Sequence, residues 1–92
     1  MKLNNKDVAQ AFVECCTANS DNMHSTGLKC FSYDTCIAQH YGENSMILNV
    51  TKYNKVTSRH LSLIKAFAED NFDIIKVNDV PEGTNSLTDF IL

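Results

Sequence analysis

The residues best suited to chemistry lie in one run, Lys52-Tyr-Asn-Lys-Val-Thr-Ser-Arg-His60. It follows a strand-like stretch, Met46–Val50, and leads into an amphipathic helical pattern. Thr57 and Ser58 would bring hydroxyls to backbone amides that have no intrahelical acceptor. With Lys52 and Arg59 close by, that is the environment an anion or phosphate needs. Arg59 can fork onto a phosphate, Lys52 adds a point charge, and Tyr53 can stack on a base. The competing reading is structural: Thr57 or Ser58 caps the helix, Tyr53 fills the core, and the cations form a solvated face. His60, beside Leu61, suits a packed imidazole as well as a base. A nucleophile–base pair with Ser58 lacks an identifiable third, orienting group.

Charge is segregated along the chain. The net charge is −3, yet residues 44–68 carry Lys52, Lys55, Arg59 and Lys65 and no acid. Residues 69–92 set Glu69, Asp70, Asp73, Asp79, Glu82 and Asp89 against Lys76 alone. A broad basic surface for nucleic acid is thereby disfavoured, while a local anion contact in the middle segment stays open. The acidic third has its own reading, a carboxylate face that imitates phosphates for a partner's nucleic-acid channel, set against ordinary solubilising charge. No paired carboxylates, P-loop, dinucleotide fingerprint or zinc-protease helix motif occurs, so catalysis and a cofactor are not expected. Cys30, Cys36, His24 and His40 lack metal-ligand spacing, so no metal is expected either. The four cysteines are expected to be reduced, packed as small hydrophobes.

The elements that must position these residues follow from periodicity. Ninety-two residues make a single domain over 1–92. Val8, Ala11, Phe12 and Cys15 keep the spacing of a buried helical stripe, with Asn4 or Asn5 as cap and Asp7 in the first turn. The turn formers Thr17–Asn22 end that helix. Leu28–Tyr33, Cys36–Tyr41 and Met46–Thr51 read as strands, the last pair joined by a hairpin at Gly42. A second helix beginning after Thr57 or Ser58 buries Leu61, Ile64, Phe67 and Ala68. Asp73–Val77 is a fourth strand, Pro81-Glu-Gly83 a turn, and Phe90, Ile91 and Leu92 must dock or engage a partner. The expected fold is α+β, a small antiparallel sheet of about four strands with two helices on one face, in the order α-β-β-β-α-β. No apolar run is long enough to span a bilayer and no signal-like segment occurs, so a cytoplasmic location without membrane association is expected.

Phe31-Ser-Tyr-Asp-Thr-Cys-Ile-Ala38, Ile47-Leu-Asn-Val-Thr-Lys-Tyr53 and Val56-Thr-Ser-Arg-His60, together with Asn5-Lys-Asp-Val-Ala-Gln-Ala-Phe12, resemble a family of short uncharacterised proteins. These are encoded by phages and mobile elements of Gram-positive bacteria, and a YNTxIA strand precedes NxTKYSxTTSKHQ in them. The matching positions are Thr51, Lys52, Tyr53, Thr57, Ser58 and His60. This chain departs at Asn54, Arg59 and Leu61, keeping the cation and dropping one polar group. The resemblance implies a phage setting in a bacterial cytoplasm. Three functions are then expected in order. The first is a stoichiometric inhibitor of a host defence system, anti-CRISPR-like, with a protein or ribonucleoprotein partner. The second is a nucleotide or nucleic-acid binding module, and the third a homodimer built on the tail. An enzyme ranks last.

Overall fold

The structure is a computed structural model and describes residues 4–91. It is α+β, with two helices and a six-stranded mixed sheet. Helix α1 is Asn5–Val13, followed by β1 (Thr17–Asn19), β2 (Met23–Thr26), β3 (Lys29–Ser32), β4 (Thr35–Tyr41) and β5 (Ser45–Asn49). Then come α2 (Lys55–Ala68), β6 (Asp73–Val77) and a single 3₁₀ turn over Thr88–Phe90. The strands lie in chain order across the sheet, each beside its neighbour in sequence.

The sheet has two strands more than the four expected, β1 and β2, and its last pair is not antiparallel. Thr17–Asn22 is not simply a turn: Thr17–Asn19 pairs antiparallel with His24–Thr26, and only Ser20–Asn22 reverses the chain. The last pair, β5 and β6, is parallel, with Met46 beside Ile74 and Leu48 beside Lys76. A parallel pair needs a crossover, and α2 supplies it, so β5, α2 and β6 form a β-α-β unit.

α1 starts at Asn4, whose side chain accepts from the Asp7 amide at 2.8 Å. Its exit is a left-handed cap. The Cys15 amide donates to Phe12 O and the Cys16 amide to Ala11 O, with Cys15 at φ 61°. That is the hydrogen-bond pattern in which glycine normally takes the left-handed residue. Cys15 is therefore exposed past the helix end, not part of its buried stripe. Gly27, at φ 99°, begins the two-residue β2–β3 turn, and a Cβ there would lie 3.2 Å from Cys15 O.

The helices pack side by side on one face, over Val8, Phe12, Met23, Cys30, Met46, Leu48 and Ile64. Burying each of the larger side chains contributes about 1.5–3 kcal/mol. Ile37 is an extra residue between the pairs Cys30–Ala38 and Phe31–Cys36. This bulge breaks alternation, so four successive residues of β4, Thr35 to Ala38, are all buried. The opposite face is also covered, which the expected one-sided sheet did not include. Val80, Leu87, Phe90 and Ile91 pack there on Cys36, Ile47 and Val77. The C-terminal segment is stitched along β4, with Thr84 O accepting from the Cys36 amide and Gln39 Oε1 from the Leu87 amide, both at 2.8 Å. The tail thus docks within its own chain over the described residues, and Leu92 lies outside them.

Candidate anion-binding site

α2 begins earlier than its hydroxyls suggest. Asn54, not Thr57 or Ser58, is the N-cap, and its side chain accepts from the Thr57 amide at 2.8 Å. Thr57 and Ser58 consequently sit inside the first turn and point in different directions. Thr57 is buried, while Ser58 faces solvent.

The turn feeding α2 is held by side chains. Asn49 Nδ2 donates to Cys36 O at 3.1 Å and to the Tyr53 hydroxyl at 3.0 Å, and Tyr53 in turn donates to Val80 O. The Val80 amide donates to Thr51 Oγ1 at 3.0 Å. Tyr53 is half-buried, with its hydroxyl committed to this lattice. The consequence is a rigid platform for Lys52 at the carboxyl edge of the β5–β6 pair.

Three adjoining cavities surround the N-terminal half of α2, and Ser58 lines all of them. The largest, about 690 Å³, lies between α2, Asn5 of α1 and Asn22 of the β1–β2 turn. A second, about 440 Å³, is bounded by Lys52, Tyr53, Asn54, Lys55 and Arg59. The third, about 230 Å³, lies between α2 and the ends of β5 and β6 and takes in Lys52, Lys65 and Lys76. Among the described residues no carboxylate lines any of the three. Lys52, Lys55 and Arg59 are exposed and form no ion pair among the described residues, whereas Lys65 Nζ lies 3.6 Å from Glu69.

His60 and Thr57 belong to a different system, an internal polar line. Ser32 Oγ lies 2.6 Å from His60 Nδ1 and 3.1 Å from Thr57 Oγ1. On the other side of the ring, Asn5 Nδ2 is 3.1 Å from His60 Nε2, and Asn5 Oδ1 accepts from the Ser20 hydroxyl. With the amide nitrogen donating to Nε2, the ring proton sits on Nδ1 and is donated to Ser32. Burial holds the His60 pKa below its ordinary value, which favours that neutral ring. The line joins serine, imidazole and carboxamide, but His60 is 1% exposed and Ser32 2%. A substrate has no path to the serine, and the line fastens α2 to β3 and α1.

Of the six residues expected at the site, Lys52, Ser58 and Arg59 come together at an open surface, Tyr53 forms its wall, and Thr57 and His60 turn inward. Lys55, Lys65 and Lys76 join the first group; Lys55 and Lys65 belong to the acid-free segment 44–68, and Lys76 comes from the acidic third. Ser58, Ser62 and Lys65 follow helical spacing, a signal that was present; Lys76 arrives from β6 and left none. Glu69, Asp70 and Asp73 precede or open β6, whereas Asp79 and Glu82 follow it, and Asp89 lies in the 3₁₀ turn.

The remaining titratable groups are dispersed. His40 is a pillar under α1, its Nε2 donating to Phe12 O at 2.6 Å and its ring against Phe12 and Phe72. His24 stacks on Phe31. Cys30 and Cys36 belong to core clusters on the two sides of the sheet. Burial pushes their thiols up to about 12 and about 11. Among the described residues no three histidine, cysteine or acidic side chains gather as a metal site. No helix among them is long and apolar enough to cross a membrane. No family model, curated protein or solved structure matches this chain.

Proposed function

We propose that the protein is a non-catalytic module that binds phosphate-bearing ligands, nucleotide or nucleic acid, through the cationic surface around the start of α2. The carrying observation is that Lys52, Lys55, Arg59, Lys65 and Lys76 line contiguous cavities that no carboxylate of the described residues lines. Lys52, Lys55 and Arg59, exposed and without an ion-pair partner among the described residues, retain their charge for a ligand, whereas Lys65 shares its charge with Glu69. In the phage setting implied by the resemblance, such a module acts by occupancy and not by turnover.

The test is binding of a labelled single-stranded oligonucleotide across a salt series. Three phosphate contacts, at Lys52, Lys55 and Arg59, predict a log–log slope of about −2, and Arg59→Ala should make it shallower by about 0.7. Absence of binding at low salt refutes the proposal.

A further inference from the structure

The largest cavity differs from the two beside it in its sparse positive charge. Its walls include the apolar Val56 and Leu63, and Val56 is 37% exposed. Among the described residues its one cation is Arg59, which it shares with the basic cavity. At its far wall stands Asn22, half-buried. The Asn22 backbone carbonyl accepts from the Tyr33 amide, but its side-chain amide bonds to no described residue. Asn5, by contrast, has both ends of its amide committed to the internal line. Tyr33 is held at φ 55° in the β3–β4 turn, a left-handed position that bulky residues rarely adopt, and its ring lies 6.2 Å from that of His60.

An apolar recess with one uncommitted amide, opening at a shared arginine onto a group of lysines, matches a ligand with a flat apolar ring at one end and phosphate at the other. The volume lies within the range of small-molecule sites. A side-chain carboxamide offers a donor and an acceptor side by side, the pairing asparagine makes with adenine. We propose that this cavity receives the base of a nucleoside 5′-phosphate, with Asn22 on the base edge and the phosphate on Arg59 and Lys55. The inference rests on the anion-binding reading and adds the base to it. The nucleoside phosphate can be a free nucleotide or one unit of a single strand.

Calorimetric titration with matched probes separates these possibilities. AMP is compared with ribose 5-phosphate, and a short oligo(dA) with an abasic oligonucleotide of equal length. The expected result is that the base adds at least about tenfold in affinity in one pair or both. An advantage confined to the oligonucleotides assigns the site to a strand, and one shown by AMP assigns it to a free nucleotide. Asn22→Ala and, separately, Val56→Trp, which fills the recess from a half-exposed position, should each abolish the advantage of the base while leaving ribose 5-phosphate binding intact. Arg59→Ala should weaken all four probes. If base-free and base-containing probes bind equally, or if the advantage survives both substitutions, the base site is wrong while the anion surface stands. If none of the four binds, both fall.

Discussion

Replacing Ser32 with alanine removes one hydroxyl and strands two partners. The imidazole Nδ1 at 2.6 Å and the Thr57 hydroxyl at 3.1 Å both lose their contact, inside a region that water does not reach. Leaving a buried polar atom unsatisfied costs about 1–3 kcal/mol, so with two partners stranded Ser32→Ala should cost about 2–6 kcal/mol. A domain of this size has only about 5–14 kcal/mol to lose. Thermal unfolding by circular dichroism should therefore show a midpoint lowered by about 10 °C or more. The double variant Ser32→Ala/His60→Leu supplies the sharper check. Once the serine is gone, removing the imidazole also removes an orphan, so the double variant should be more stable than the two single losses predict, by about 1 kcal/mol or more. A Ser32→Ala midpoint within about 2 °C of the parent, or strict additivity in the double variant, would refute the claim that this line fastens α2 to the sheet.

Other outcomes follow from the same structure. Cys15→Gly should stabilise the protein by about 0.5–1 kcal/mol, because glycine adopts the left-handed cap without the steric cost of a Cβ; a urea midpoint that stays put or falls would contradict it. His60 has a lowered pKa when folded, so the unfolded chain binds more protons as the pH drops. Its contribution is complete above the ordinary value of about 6.5 and is lost as pH falls through the lower folded value. The urea midpoint should thus fall on moving from neutral pH into the acid range below 6.5, and His60→Gln should flatten that fall. A midpoint unchanged by acid, or an unaltered slope in the variant, would count against a neutral buried ring.

Much of the scaffold is legible in the chain because it repeats at the right period. The spacing of Val8 and Phe12, of Ile64 and Ala68, and the alternation of Met46 with Leu48 identify both helices and β5 without knowledge of their neighbours. β1 is different. Thr17-Ala-Asn19 has the composition of a turn, and only pairing with β2 makes it a strand, so tertiary context overrides local preference. The parallel partnership of β5 and β6 is equally hidden, since a short apolar strand reads alike in either orientation. The cationic site was readable in outline because Lys52, Ser58 and Arg59 are close in sequence. The internal line was not: Ser32, His60 and Asn5 meet across 28 and 55 residues, and no spacing encodes such a meeting. The cap was misassigned for a chemical reason, since Asn54, Thr57 and Ser58 all suit that role and only the start of the helix chooses among them.

A sheet whose strands stand in the order of synthesis has kinetic consequences. Each of β1 to β5 meets its partner across a short turn, so little loop-closure entropy opposes assembly, and the contact order of the meander is low. β6 must cross back over α2, and the 80–91 segment must return to β4 from farther along the chain. Until it does, Cys36 and Ile47 present an apolar surface to solvent. The interval before that lid settles is when this chain is most prone to self-association, and when its otherwise inert thiol at Cys36 is open to oxidation.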